Sequence, residues 1–113
     1  MKTTSEYISL LKQFKDTKSA IYGIHRIGLF GSVARGEQKE GSDVDVIYEG
    51  EPNILLRSRM KQELENLFGC SVDLVRFRKQ LENTLFHDSI QEDLILIWIK
   101  KGQYIHFWPE LKI

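Results

Sequence analysis

A single cysteine, Cys70, in 113 residues cannot close an internal bridge, so this fold does not depend on disulfides. Net charge is missing as well. Lys plus Arg and Asp plus Glu are each 16, so no global field gathers nucleic acid, which argues against a polymerase-like role. Long apolar runs are absent too. The N-terminal MKTTSEYISL has no signal-peptide stretch, and the longest run, Leu94 to Ile99, is far too short to cross a bilayer. A reducing cytoplasm is therefore the expected setting. There is no internal repeat, low-complexity tract or linker. What remains is 42% hydrophobic and 28% charged, ordinary for a soluble globular protein. One domain over residues 1–113 is expected, burying about two-thirds of its unfolded surface.

Apolar spacing sets out the elements. Tyr7, Leu10, Leu11 and Phe14 recur at three and four, which predicts an amphipathic helix from about Thr4 to Ala20, with Thr4 as N-cap and Gly23 ending the pattern. Ile24 to Phe30 reads as a strand with Ile27 and Leu29 inward, and Ser32 to Glu37 as a helical turn. After a polar loop at Gln38 to Gly41, Asp43 to Tyr48 reads as a second strand. Its Val44, Val46 and Tyr48 face is buried, and its other face presents Asp43, Asp45 and Ile47. Leu56, Met60, Leu64, Leu67 and Phe68 mark a second long helix closed by Gly69, and Ser71 to Phe77 a third strand. A weakly periodic helix follows Lys79 and runs to about Asp88 or Glu92. Asp93 to Lys100, a turn at Lys101 to Gln103, and Tyr104 to Trp108 suggest a terminal hairpin, although Leu94 to Ile97 would also suit a buried helix. The fold class is α+β (α/β): a small mixed sheet with helices packed on one face.

The chemistry concentrates in Gly31 to Asp45, GSVARGEQKEGSDVD. Gly31-Ser32 follows the apolar end of the first strand, so a tight turn leaves backbone amides able to face an anion, and glycine permits the close approach. The short helix that follows would aim its N-terminus at that anion. Asp43 and Asp45 flank Val44, and residues two apart on a strand project from one face. Crowded carboxylates repel unless a cation sits between them, and Mg²⁺ takes oxygen ligands of this kind. A phosphate-cradling turn beside a carboxylate pair suggests a nucleoside triphosphate site.

Gly31-Ser32, ten intervening residues, then Asp43-Val44-Asp45 resembles the GS-x10-D-x-D signature of the nucleotidyltransferase superfamily related to DNA polymerase β. GSVARGE followed by SDVDV, with the later strand Ser71 to Val75, is similar to its small branch, the minimal nucleotidyltransferases. The resemblance implies a metal-dependent transfer of NMP, most readily AMP from ATP, through a two-metal Mg²⁺ site. It casts Asp43 and Asp45 as ligands of the nucleotide-bound metal. Asp73 completes the catalytic metal and draws the proton from the acceptor. Gly31 and Ser32 hold the β and γ phosphates. Arg35, one turn on, either reaches a phosphate or structures the turn by pairing with Glu37 or another acid. The branch further implies a partner: an all-helical HEPN toxin on which a tyrosine is adenylylated, with the small chain acting as antitoxin. So short a chain has little room for an acceptor pocket, so the acceptor surface is expected from a partner or another subunit. Two alternatives stand beside this: a catalytically silent antitoxin that neutralises by contact, and an antibiotic-type transferase acting on a small molecule.

Other residues read more plainly. Gly36 supplies an unusual backbone conformation, and Ser42 hydrogen-bonds where the second strand begins. His25, His87 and His106 have no metal-ligand spacing. Arg76, Arg78 and Lys79 follow the Asp73 strand and read as a solvated positive cluster, with a face toward triphosphate or an acidic partner as the alternative, and Trp98, Phe107 and Trp108 read as core or interface rather than a base-stacking platform.

Overall fold

A computed structural model describes residues 1–78 and 92–97, with the backbone alone at 104 and 105. The chain opens with helix α1, Thr4–Tyr22. Its N-cap is Thr3 rather than Thr4, because Glu6 stands three residues on. Thr3 Oγ1 accepts from the Glu6 amide at 3.2 Å and Glu6 Oε1 accepts from the Thr3 amide at 2.8 Å, a reciprocal capping box. Thr4 is thereby freed to donate its hydroxyl to the Val33 carbonyl at 2.6 Å. The helix outlasts the expected end at Ala20 by two residues, since Tyr22 still finds buried packing before Gly23 closes the turn.

Strand β1, Ile24–Phe30, leads into the short helix α2, Gly31–Arg35, then strand β2, Val44–Gly50. Helix α3, Ile54–Phe68, starts at Asn53, whose side chain accepts from the amides of Leu55 and Leu56. Strands β3, Val72–Arg76, β4, Ile95–Ile97, and β5, Tyr104–Ile105, complete a five-stranded sheet in the order β3-β2-β1-β4-β5. β2 and β3 run parallel and the other pairs antiparallel, so the sheet is mixed, as expected. Leu96 opposite Ile105 and Ile97 opposite Tyr104 give the terminal hairpin its ladder, which settles the apolar run as a strand. That strand begins at Ile95 rather than Asp93. The helix expected after Lys79, the 101–103 turn, His87, His106, Trp98, Phe107 and Trp108 lie outside the described residues.

Helices α1 and α3 cover one face. Tyr7, Leu11 and Phe14 from α1 and Met60, Leu64 and Phe68 from α3 close over Ile27, Leu29, Val44, Val46, Val72 and Leu74. The opposite face differs from expectation at Ile47. This residue shares a side of β2 with Asp45, yet it is fully buried in a second cluster with Phe30, Phe77, Leu94 and Leu96. The carboxylate side of β2 is therefore open only at its N-terminal end. A period-two pattern assigns faces, but it does not say whether a second layer covers one of them.

Lys15 is the single charged residue buried among the described ones, at 2% exposure, and its ammonium donates to the Ile97 carbonyl at 2.8 Å. Burial pulls its pKa down from 10.5 to about 8, with Arg26 adding to the depression and Asp16 opposing it. The folded protein therefore releases this proton earlier than the unfolded chain does. Between about pH 8 and pH 10.5 only the unfolded state stays protonated there, so this contribution to stability rises with pH. Chemical denaturation of Lys15→Met and the natural chain from pH 7.5 to 10 should show the variant's relative stability falling by up to about 3 kcal/mol. A gap that stays constant across that range would show that Lys15 is solvated.

Candidate functional site

The candidate residues meet across one end of the sheet. β1 and β2 are antiparallel and β2 and β3 parallel, so the C-terminal end of β1 lies beside the N-terminal ends of the other two. Phe30 is opposite Asp45, and Asp45 is opposite Asp73. Gly31 follows Phe30 directly, so the turn, Asp45 and Asp73 form a row with neighbouring backbones about 4.8 Å apart.

The turn is shaped for a close approach. Gly31 has φ +73°, a conformation that side chains resist. A methyl group there would collide with Asp45 Oδ2 and lie 2.9 Å from its Cγ. The Asp45 carboxylate is thus seated against the bare backbone of the turn. α2 begins at this point, so its first amides lack carbonyl partners within the helix, and Phe30 has no side-chain oxygen with which to cap them. Gly36 closes α2 at φ +73°, with its amide donating to Val33 O at 3.1 Å, the unusual conformation expected of it. Ser42 behaves as expected too: its hydroxyl accepts from the Lys39 amide and its amide donates to Lys39 O, both at 2.9 Å, closing the loop that delivers β2.

Asp45 is half-buried, and its pKa is pushed up to about 6. Burial is the largest cause; the like charges of Asp73 and then Asp43 add to it, while Arg35 pulls the other way. Asp45 therefore lies within electrostatic reach of both other carboxylates. Asp43 departs from expectation by lying just outside β2, exposed, because the parallel ladder starts when the Val44 amide takes Ser71 O at 3.0 Å. Asp73 is on β3 and exposed. Among the described residues no three His, Cys, Asp or Glu side chains are gathered closely enough to cage a metal ion. The fit to Mg²⁺ rests instead on donor chemistry: oxygen ligands only, two in direct register, and a repulsion that a hard cation would offset.

Arg35 makes the ion pairs that the structural option expects of it. Its Nε donates to Glu37 at 2.9 Å, and its Nη1 donates to Asp93 at 2.6 Å, tying α2 to the start of β4. Of the remaining candidates, His25 is exposed and 4.0 Å from Glu49. Arg76 donates to Gly50 O at 3.4 Å, and Arg78 is exposed.

One feature gave no sequence signal. Ile54, Arg57, Ser58 and Lys61 form a stripe of α3 at helical spacing, and with Asp73 and Leu74 they line an open cleft of about 250 Å³ at the outer edge of β3. Arg57 Nη2 donates to Leu74 O at 2.8 Å. A second cleft of about 190 Å³ adjoins it, sharing Ile54 and Arg57 and adding Tyr48 and Arg76. No helix among the described residues is long and apolar enough to cross a membrane.

Residues 9–97 match the profile of the family described as Nucleotidyltransferase domain. A Methanocaldococcus jannaschii protein, named provisionally as a protein adenylyltransferase, is 38% identical over 101 residues, covering 86% of this chain and all of the relative. The protein adenylyltransferase MntA of Thermococcus cleftensis is 42% identical over 77 residues, covering 66% of this chain and 78% of the relative. Among solved structures, one named provisionally as a minimal nucleotidyltransferase superposes with a TM-score of 0.64 at 29% identity, covering 83% of this chain and 95% of that one. A toxin–antitoxin structure with AMP-PNP shares the fold, with a TM-score of 0.60 at 24% identity, covering 79% and 72%.

Proposed function

Since this chain belongs to the nucleotidyltransferase family and is a nucleotidyltransferase, we propose that it moves AMP from Mg²⁺-bound ATP onto a tyrosine hydroxyl of a cytoplasmic HEPN-type partner, acting as its antitoxin. The observation that carries this reading is the row of Gly31, Asp45 and Asp73 across three strand ends. The named relatives support the adenylyl group and the protein acceptor. The toxin–antitoxin fold neighbour motivates the kind of partner.

In this mechanism the α2 amides and Ser32 hydrogen-bond the β and γ phosphates, with no side chain at Gly31 to hold them off. Asp43, Asp45 and Asp73 would hold the divalent ions, which supply positive charge against that developing on the α-phosphate and its attacking and leaving oxygens. The acceptor oxygen attacks the α-phosphorus in line, and the bond to the β-phosphate oxygen breaks, releasing pyrophosphate. Asp73, exposed on the edge strand, receives the acceptor's proton. Arg35, held by Glu37 and Asp93, positions α2 rather than binding phosphate.

The test mixes the chain with Mg²⁺, ATP labelled at the α-phosphate, and the protein encoded beside it. Label should appear on a tyrosine of the neighbour, and toxicity should fall with labelling. If Asp73→Asn fails to label yet protects cells as well as the natural chain does, neutralisation is by contact alone and the transfer reading of the antitoxin role is wrong.

A further inference from the structure

The clefts at the edge of β3 have a composition that nucleotide binding does not use. The Gly31 turn lies at the end of β1, with β2 between it and β3, so the polyphosphate end and the β3 edge are about 10 Å apart across the sheet. Asp73 faces this outer side. α3 brings Arg57 and Lys61 to the cleft that Asp73 lines, and Arg76 lines the adjoining one, while the one acid lining either cleft is Asp73 itself. In a chain whose charges cancel, this is a local excess of one sign. The rim is apolar: Ile54 is 74% exposed and the adjacent Leu55 is 79% exposed.

We infer that this edge cleft docks the acceptor, and that the acceptor is an acidic protein segment whose glutamates or aspartates flank the hydroxyl being modified. The inference rests on the transfer reading above and names its acceptor class. Arg57 is preorganised for the role: one N–H is committed to Leu74 O, which fixes the guanidinium at the strand edge and leaves most of its five donors for a carboxylate. Lys61 is one turn further along the same stripe, and Ile54 one turn before it. The segment is held by side chains and not as an added strand. Two outward backbone groups of β3 are already engaged, the Val72 amide donating to Glu65 at 3.0 Å and Leu74 O accepting from Arg57, which interrupts the ladder an added strand would need. Nucleic acid suits the cleft less well, because exposed Ile54 and Leu55 would face a phosphodiester chain with nothing apolar to bury.

Fluorescence anisotropy tests this on the full chain, using a short labelled peptide with one tyrosine between glutamates and the same peptide with lysines in their place. The glutamate peptide should bind, and should weaken with salt. Lys61→Glu, a change at an exposed position, should weaken it about tenfold, and Arg57→Gln about fivefold. Calorimetric affinity for Mg²⁺-ATP should stay within about twofold in both variants. Three results would each overturn the inference: binding of the lysine peptide or of oligouridine as tight as that of the glutamate peptide; peptide binding unchanged in both variants; or ATP affinity falling in step with peptide affinity, which would assign the cleft to the triphosphate. A chain that binds ATP and labels its neighbour, but ignores peptide charge, sinks this inference alone. A chain that neither binds ATP nor labels its neighbour sinks the transfer reading instead.

Discussion

Replacing Asp45 with asparagine is expected to abolish AMP transfer and, in the same molecule, to raise the melting temperature of the metal-free protein at neutral pH. The two effects share a cause. Burial, Asp73 and Asp43 together push the Asp45 carboxyl up to about 6 from an ordinary 3.8, so the folded state holds that proton more tightly than the unfolded chain. A raised folded pKa gives stability that is complete below the unfolded value and is lost as pH climbs through the folded one. At pH 7 the ionised Asp45 is therefore a net cost. Two pKa units correspond to about 3 kcal/mol; since the side chain is only half-buried, solvent screening reduces this to about 1 kcal/mol. An amide of the same shape does not ionise, so the variant should melt a few degrees higher at pH 7 and no higher at pH 4. Transfer should fall by at least about 10²–10³, as when one charge-stabilising group is removed from a preorganised site. Scanning calorimetry with and without Mg²⁺ supplies the cross-check: the ion should raise the natural chain's melting temperature and leave the variant's unchanged. A variant that melts lower than the natural chain at pH 7 would make Asp45 a structural acid and remove it from the proposed metal site.

How far the site could be read from sequence depends on the range of the interaction. The Gly31-Ser32 turn and the placing of Val44 and Asp45 on opposite faces are local, set by glycine's backbone freedom and the two-residue strand repeat, and both can be read directly, whereas Asp43 falls outside β2 because the ladder with β3 starts only at Val44. That Asp73 would lie beside Asp45 is a matter of register. Two strands 28 residues apart could pair in either direction, and it is the parallel pairing that puts the carboxylates opposite each other. Asp93 as the partner of Arg35 carried no sequence signal at all, being 58 residues away. The covered Ile47 shows the same limit, since the residues that bury it come from three other segments. The Ile54, Arg57, Ser58 and Lys61 stripe escaped for a different reason. Helical periodicity is carried by apolar residues because burial drives folding, and a stripe that mixes Ile54 with Arg57, Ser58 and Lys61 leaves no such period in the sequence.

Gly31→Ala is the second large effect expected, and it differs from Asp45→Asn in sign as well as in size. Two costs add. The backbone at φ +73° is strained for any L side chain, worth about 1 kcal/mol. The new methyl would also overlap Asp45 Oδ2, forcing either the turn or the carboxylate to move. Overpacking of this kind costs about 1–3 kcal/mol. The alanine chain should therefore be destabilised by roughly 2–4 kcal/mol, with transfer reduced by about 10² through displacement of Asp45 alone. A double-mutant cycle separates the two costs. In an Asp45→Ala background the methyl has no carboxylate to strike, so Gly31→Ala should cost only the backbone strain, leaving a coupling of at least about 1 kcal/mol between the two positions. If the two substitutions add without coupling, then Gly31 is required for its φ alone. The contact between turn and carboxylate, which brings the phosphate-binding and metal-binding halves of the proposed site together, would then have no energetic reality.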